Sequence, residues 1–411
     1  MKAIRNFAAS KINKTDMKTL YSIFFTLLFS FSFAQNDSPH LFELNTADRL
    51  QQLESSKIKI GGYGQIDYNQ PLVENTKSAG TLDVHRVILF FGYSFNPKWE
   101  LITEIELEHV KEVFVEQAYF SYKHNKYINF KGGLLLIPMG YINEYHEPPA
   151  FFGVERPLLD SKVVPTTWRE VGFGIFGRIP ELSLKYQLYL VNGFMGYDGS
   201  AKFDGDDAYR GGRQKGAKSI INYPNISTKI ELYGIKRIKL GLSGYFGKSQ
   251  SSLISGLTTS NEAALLQADS SVISIRMFGF DASYRYKAVQ IRTQAIYAFN
   301  KNTEAYNQFG ASNLGEEIFG FYLEASYNVF ATRKMSSRLI PFVRYENFDT
   351  QFVVDAGTFK NPESHRQVWI SGINFYPTNG LVLKADYQWI KTDLIGAPAK
   401  KAFNIGIGYM F

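Results

Sequence analysis

Acidic side chains that alternate with apolar ones are the first sign of chemistry in this 411-residue sequence. Glu104, Glu106 and Glu108 are separated by single apolar residues. Because successive side chains of a β-strand point to opposite faces, the three carboxylates would form an acidic stripe on one face and leave the other face apolar. Charges arranged in this way around a narrow, water-filled passage decide which ions pass through it.

Basic side chains follow the same alternation in other segments, and we predict that they share the polar face with the acidic stripe. The residues expected to line that face are Arg86, Lys131, Glu104, Glu106, Glu108, Arg292, Arg344 and Lys384. Further charges of both signs fall on it, namely Lys59, Asp67, Lys185, Lys229, Glu231, Lys239, Glu346 and Asp386. Two interpretations stay open: the charges create a selective field across a pore, or they cancel on a solvated wall.

The elements that must position these residues are β-strands, most of them close to the roughly 9–11 residues of a tilted membrane strand. The sixteen candidates are 57–68, 82–95, 99–109, 113–122, 127–137, 170–178, 182–192, 225–234, 238–247, 273–286, 289–300, 317–329, 339–348, 367–376, 381–391 and 402–411. In the last of them Phe403, Ile405 and Ile407 alternate with small or polar residues, which is typical of a strand between lipid and a lumen. The pattern does not fix the register of 273–286 or 339–348.

The connections between these strands alternate in length. Tight turns occupy 96–98, 123–126, 179–181, 235–237, 288 and 377–380, with 330–338 as a longer member of the same set. The intervening connections 69–81, 138–169, 193–224, 248–272, 301–316, 349–366 and 392–401 are long, and only 110–112 is short. A soluble sandwich has no reason to sort its loops in this way. We therefore predict an all-β fold, a transmembrane antiparallel barrel of about 16 strands with short periplasmic turns and long extracellular loops.

Residues 1–34 have the parts of a secretory signal, with lysines before an apolar run and an expected cleavage after Ala34. Without them the formal net charge falls from +7 to +3, because the segment holds five of the Lys and Arg residues and one Asp. The basic composition therefore does not indicate nucleic-acid binding. Residues 35–56 are expected to form a periplasmic lead-in or short helix, followed by the barrel over 57–411. The sequence has no cysteine, which excludes disulfides and thiolate metal sites.

The loop 138–169 is the candidate for a pore constriction. We expect it to fold into the barrel, because it is long and because Pro148, Pro149 and Pro157 stiffen it. The charged residues assigned to the constriction are Arg156, Lys162, Arg169, Glu144, Glu147 and Glu155. The alternative is a cap that lies over the mouth of the barrel.

Catalytic and metal-binding functions find little support in the sequence. The six histidines are scattered, and neither a nucleophile elbow nor a His-Glu-x-x-His pattern is present. Catalytic triads are defined in space, so a barrel enzyme such as a lipase or protease stays open as an alternative, as does a plugged structural or adhesive barrel. Residues 198–213 hold four aspartates among glycines without the spacing of a calcium loop, and we interpret them as a mobile surface loop. No catalytic residue, metal or cofactor is expected.

Several short motifs resemble one family of outer-membrane proteins. They are Glu116-Gln117-Ala118-Tyr119-Phe120, Gly132-Gly133-Leu134-Leu135-Leu136, Glu155-Arg156-Pro157, Arg344-Tyr345-Glu346 and Gly372-Ile373-Asn374-Phe375-Tyr376-Pro377. In this order, residues 57–411 are similar to the phosphate-selective porin O and P family in its Bacteroidetes form. The resemblance implies a trimeric, sixteen-stranded channel of the bacterial outer membrane.

Such a channel would let small hydrophilic solutes, anions such as phosphate among them, diffuse down their gradients. Its partners would be the lipid bilayer, small solutes and ions, and two further copies of the chain. The sequence departs from the family on the second strand, where only Arg86 stands in place of a cluster of arginines. This departure counts against selectivity for phosphate.

Neutralising Arg156, Lys162 and Arg169 together, each to Gln, is expected to shift ion selectivity toward cations, because the three lie in the predicted constriction. The measurement is the reversal potential of the refolded protein in a planar bilayer under a KCl gradient. An unchanged reversal potential would contradict this assignment.

Overall fold

The computed structural model describes residues 56–258, 260–333 and 335–411. The predicted signal segment 1–34 and nearly all of the predicted lead-in 35–56 lie outside these residues. Within them, sixteen antiparallel strands form one closed barrel, and two very short strands, Met195–Tyr197 and Gln250–Ser251, pair outside it. The predicted fold class is therefore confirmed.

The strands follow the chain in simple up-and-down order. Their bounds are β1 (Ile58–Leu72), β2 (Thr81–Ser94), β3 (Trp99–Glu108), β4 (Glu112–Lys123), β5 (Asn129–Leu136), β6 (Arg169–Ile179), β7 (Leu184–Val191), β8 (Met195–Tyr197), β9 (Asn225–Leu232), β10 (Ile238–Lys248), β11 (Gln250–Ser251), β12 (Ser274–Tyr286), β13 (Val289–Lys301), β14 (Glu317–Tyr327), β15 (Arg338–Val353), β16 (His365–Thr378), β17 (Leu381–Thr392) and β18 (Lys400–Met410). Each predicted strand corresponds to one of the sixteen barrel strands.

Three short helices lie in the long loops, namely α1 (Leu158–Lys162), α2 (Glu262–Ser270) and α3 (Thr303–Gly310). Among the described residues, no helix combines the length and the apolar character needed to cross a membrane.

The barrel closes where the first strand pairs with the last. Ile66 lies opposite Ile407 and Gly64 lies opposite Tyr409 in the β1–β18 pair. Closure leaves no strand with a free row of peptide N–H and C=O groups, which hydrocarbon could not hydrogen bond.

Alternation of exposed and buried side chains separates the two faces of the wall. In β18, Phe403, Ile405 and Ile407 are exposed while Asn404 is buried. The faces predicted for β7, β13 and β17 are confirmed in the same way, since Gln187, Arg292 and Lys384 are buried on the inner side. The exposed apolar face is the surface that lipid covers.

The sequence pattern did not fix the register of β12 and β15, because the inner faces of these two strands are partly apolar. Met277 in β12 and Phe342 and Phe348 in β15 are buried inside the barrel. Phe342 contacts Phe152 of the loop between β5 and β6, with 5.7 Å between ring centroids. A loop that packs inside the barrel thus explains why these strands lack a clean polar face.

Strand β15 runs five residues beyond its predicted end. The hydroxyl of Thr350 donates to the carbonyl of Gly205, and the side chain of Gln351 bonds to the carbonyl of Asn313. These polar residues look like a loop in the sequence, but they continue the strand because other extracellular loops bind them.

A bulge interrupts the pairing of β3 with β4. Glu104 pairs with Gln117, and the next pair is Ile105 with Val115, so that Glu116 is the extra residue. Glu116 and Gln117 are both buried on the inside, as is typical of a bulge that redirects one side chain.

Replacing Gly172 with Ala should destabilise the barrel by about 1–3 kcal/mol, the usual cost of overpacking. A Cβ at Gly172 in β6 would lie 2.2 Å from the carbonyl oxygen of Leu190 in the neighbouring strand. Chemical unfolding in lipid vesicles measures the change. Gly132→Ala is the matched control on β5, because its Cβ would meet no atom closer than 3.4 Å. Equal effects of the two substitutions would contradict the packing argument.

Candidate functional site

The loop between β5 and β6, residues 137–168, lies inside the barrel. It leaves and re-enters the wall at two directly paired residues, Leu136 and Arg169. Met139, Leu159 and Trp168 of this loop have no exposed surface. We call this segment the inner loop.

Three basic residues of the wall donate hydrogen bonds to successive carbonyls of the inner loop. Arg292 donates to Ala150 O at 2.8 Å, and Arg344 donates to Phe152 O at 3.0 Å. Lys384 donates to Phe151 O at 2.9 Å and Gly153 O at 2.7 Å. Arg292, Arg344 and Lys384 point inward as predicted, but they hold the loop. We call these three residues the carbonyl clamp.

Acidic residues of the same wall bind the loop's N–H groups. Glu346 accepts from the N–H of Leu159 at 2.9 Å, and Asp386 accepts from the N–H of Val154 at 2.6 Å. The loop is therefore held by donors and acceptors on β13, β15 and β17. These strands lie across the lumen from β5 and β6, where the loop is rooted.

The first part of the inner loop is fixed to another side of the wall. Glu144 lies 2.8 Å from Lys229 Nζ of β9 and accepts from Gln187 Nε2 of β7 at 2.6 Å. Burial alone would raise the pKa of Glu144, but Lys229 and Lys185 lower it to about 2. Glu144, which the sequence analysis assigned to the constriction, is thus an anchor of the loop.

A second loop, residues 192–224 between β7 and β9, covers the inner loop through aromatic contacts. Phe194 stacks on Trp168 with 4.5 Å between ring centroids, and Tyr209 stacks on Phe194 at 5.4 Å. Tyr209 has no exposed surface, and its hydroxyl donates to Asn300 at 2.8 Å. The interpretation of residues 198–213 as a mobile surface loop is therefore wrong for the part around Tyr209, because its aromatic side chains pack against the inner loop.

A cavity of about 220 Å³ lies between the inner loop, this second loop and the wall. Of the residues that the structure describes, six basic ones line it: Arg86, Arg156, Arg169, Arg210, Arg213 and Lys215. Three acidic residues, Glu106, Glu108 and Glu155, also line it. We call this space the basic cavity.

The cations of the basic cavity are not fully paired with protein groups. The buried Nε atoms of Arg86, Arg156 and Arg169 have no hydrogen-bond partner in the described part of the chain. Burial, together with Arg210 and Arg169, lowers the pKa of Arg213, and burial with Arg213 and Arg169 lowers that of Lys215. Arginine stays protonated in proteins, so like charges are crowded together in this space.

The structure separates the residues predicted for the constriction. Arg156, Arg169 and Glu155 meet at the basic cavity. Lys162 instead lies 3.4 Å from Asp206 and also pairs with Asp207. Glu147 is buried and does not line the cavity.

Of the residues predicted to line the pore, some line the basic cavity and others do not. Arg86, Glu106 and Glu108 line the basic cavity, and Glu104 is buried beside it. Lys131 lies over the ring of Tyr189, 4.7 Å from its centroid.

Sequence reasoning missed Arg210, Arg213 and Lys215. Arg210 and Arg213 lie within the glycine- and aspartate-rich stretch 198–213, which was interpreted as a surface loop, and Lys215 directly follows it. The signal that could have indicated them is Phe203 and Tyr209, two aromatic residues in an otherwise polar segment.

Solved structures of bacterial outer-membrane proteins share this barrel fold. DcaP, an outer-membrane channel of Acinetobacter baumannii, matches with a TM-score of 0.57 and 13% identity over 86% of this chain and 97% of DcaP. A Vibrio cholerae OmpT lacking loop L8 matches with a TM-score of 0.53 and 10% identity, over 87% of this chain and 100% of that OmpT. An anion-selective porin from Comamonas acidovorans matches with a TM-score of 0.51 and 10% identity, over 86% of this chain and 99% of that porin. The chain shares the fold of these proteins and is a closed barrel of the bacterial outer membrane.

A curated relative defines the family more narrowly. An uncharacterized protein of Aquifex aeolicus (strain VF5) is 30% identical over 383 residues, which are 89% of this chain and 82% of the relative. The chain belongs to the same family as that protein. No family model matches the chain, so the resemblance to the phosphate-selective porin O and P family stays a prediction.

Replacing Lys384 with Met should loosen the inner loop, because it removes two charge-assisted hydrogen bonds to loop carbonyls while keeping the aliphatic side chain. Each such bond is worth about 1.5–3 kcal/mol. Hydrogen exchange of the amides in residues 150–154 should accelerate by roughly tenfold or more, which corresponds to about 1.4 kcal/mol. Lys391→Met on the same strand is the control, because Lys391 is exposed. Unchanged exchange in Lys384→Met would show that the carbonyl clamp does not hold the loop.

Proposed function

We propose that this protein is an outer-membrane porin through which small hydrophilic solutes diffuse, with a preference for anions such as phosphate. The observation that carries the proposal is the convergence of six basic side chains on the basic cavity, beside the inner loop. The porin-like fold supports the conduit, and the cavity supplies the preference for negative charge. No covalent chemistry and no cofactor are part of the proposal.

The size of the basic cavity favours a compact anion. Its volume of about 220 Å³ is below the roughly 300–1,000 Å³ of pockets that enclose drug-sized ligands. Arg86 and Arg169 are nine-tenths or more buried, and each presents an Nε–H without a partner among the described residues. An oxyanion would accept from several of these donors at once, since a guanidinium presents its N–H groups in a planar fork.

The acidic residues of the cavity fit a site that releases its ligand. Glu106, Glu108 and Glu155 offset part of the positive charge. Conduction needs binding that is favourable enough for entry and weak enough for exit. A mixed lining of this kind favours a passing anion over a trapped one.

Assembly into a homotrimer is also part of the proposal. It rests on the resemblance stated from the sequence and on a Vibrio cholerae OmpT of similar fold that was solved in a trimer form. Each copy of the chain has its own inner loop and cavity.

A second candidate is a barrel whose lumen stays closed. The absence of exposed surface on Met139, Leu159 and Trp168 favours it, because these residues pack inside the lumen. The two candidates differ in one measurable property, the conductance of the folded protein.

Replacing Arg213 and Lys215 together with Gln is expected to weaken inhibition of the chloride current by phosphate about tenfold, because the loss of a charge-assisted contact costs about 1.5–3 kcal/mol. The measurement is single-channel current in a planar bilayer under a KCl gradient with added phosphate. Lys162→Gln is the matched control, because its ammonium pairs with Asp206 and lies outside the cavity.

The three possible outcomes separate the candidates. Block by phosphate that weakens only in the double variant supports the anion site. Steady current with no phosphate effect keeps the porin and removes phosphate as its solute. A folded barrel without conductance supports the closed barrel.

A further inference from the structure

A second group of chemically active side chains lies beside the basic cavity. Glu104 on β3, Glu116 on the β4 bulge and His146 on the inner loop are all buried. The Nε2 atom of His146 lies 3.2 Å from Glu116 Oε2 and 3.7 Å from Glu104 Oε1. These three ligand atoms all lie within 4.8 Å of one another.

The spacing of these atoms fits a metal ion. Zinc binds histidine nitrogen and carboxylate oxygen at about 2.0–2.2 Å, almost always in tetrahedral geometry, so its ligand atoms lie roughly 3.4 Å apart. The two measured separations lie on either side of that value. A small movement of side chains would therefore place an ion between the three residues.

The hydrogen bonds around His146 and Glu116 leave one ligand atom of each facing the centre. Both oxygens of Glu104 also accept hydrogen bonds, Oε1 from Tyr63 at 3.0 Å and Oε2 from Gln117 at 2.7 Å, so Glu104 would bind a metal through a remaining lone pair. His146 Nδ1 lies 3.1 Å from the carbonyl of Asn143, which can only accept, so Nδ1 carries the hydrogen and Nε2 faces the carboxylates. Arg169 binds Glu116 through its other oxygen, Oε1, at 3.3 Å. This is the usual arrangement of a metal-binding histidine, whose second nitrogen donates to a carbonyl.

An independent observation also calls for a cation at this place. Glu106 is 2% exposed, its Oε1 has no hydrogen-bond partner in the described residues, and its carboxyl adjoins that of Glu116. The nearest guanidinium nitrogen recorded for Oε1 is Nη1 of Arg86, at 3.6 Å. Three neighbouring buried carboxylates repel one another, and an ion between them removes that cost.

We propose that Glu104, Glu116 and His146 bind a divalent transition-metal ion of the zinc type, which joins the inner loop to the wall at β3 and β4. Glu106 is placed to complete the coordination. The sequence analysis expected no metal, because Glu116 turns inward only through the bulge and His146 is distant in sequence. The proposal does not depend on the transported solute.

Another group with ligand atoms is formed by Asp67, Asp83 and His85 on β1 and β2, and His85 also lines the basic cavity. The Nε2 atom of His85 already accepts a hydrogen bond, since Arg86 Nη2 lies 2.6 Å from it and can only donate. His85 Nδ1 therefore carries a hydrogen and donates to Asp67 at 2.9 Å. This group has no free nitrogen for a metal and serves as the internal control.

The test is calorimetric titration of Zn²⁺ into the folded, full-length protein in detergent after removal of metals by a chelator. We expect one Zn²⁺ per chain. His146→Gln and Glu116→Gln should each lower the affinity by more than the roughly 10–100-fold caused by the loss of an outer contact. His85→Gln, the matched control, should bind as the wild type does. Circular dichroism confirms that each variant keeps its β-sheet.

The wild-type protein gives a second readout that needs no variant. Co²⁺ should give the strong visible absorption of tetrahedral coordination. Weak octahedral absorption, no Zn²⁺ binding, or loss of binding only in His85→Gln would each overturn the proposal.

Discussion

Peptide groups that lie inside the barrel need hydrogen-bond partners, and the rest of the interior depends on this constraint. An unpaired buried N–H or C=O costs about 1–3 kcal/mol. The inner loop brings many such groups into the lumen, and charged residues of the wall bind them. Lys384 donates hydrogen bonds to two loop carbonyls, and Asp386 accepts one from the N–H of Val154. Charged residues on the inner face therefore have a structural task that a solvated wall would not require.

The same constraint explains why these charges are also paired with one another. Arg344 lies between Glu324 at 3.1 Å and Glu346 at 2.9 Å while it donates to the loop. A buried charge is costly unless it is both paired and hydrogen bonded. Arg344 itself keeps one nitrogen, Nη2, without a partner in the described ranges, and Arg86, Arg156 and Arg169 of the basic cavity each keep theirs at Nε. The cavity differs in that three such guanidinium groups line one space, which is where the proposed anion would bind.

Alternation in the sequence was enough to predict the barrel, because each strand of the wall meets the same two environments. Lys384 and Asp386 could be placed inside from period-two spacing alone. The interior itself was not predictable, because it depends on contacts between distant segments. Glu116 turns inward through one extra residue in β4. Arg213 reaches the cavity only because Tyr209 and Phe194 pack on Trp168.

The direct pairing of Leu136 with Arg169 makes the inner loop an insertion within an otherwise complete hairpin. The wall on either side is continuous, so a two-residue turn could join β5 to β6 without changing any strand. About sixteen strands alone enclose a water-filled bore. In that shortened chain Arg292, Arg344 and Lys384 would be solvated together with the carboxylates beside them, and the bore would be lined by charges of both signs. The architecture is thus modular: the wall determines where charge lies, and one replaceable segment determines how much of that charge a solute meets.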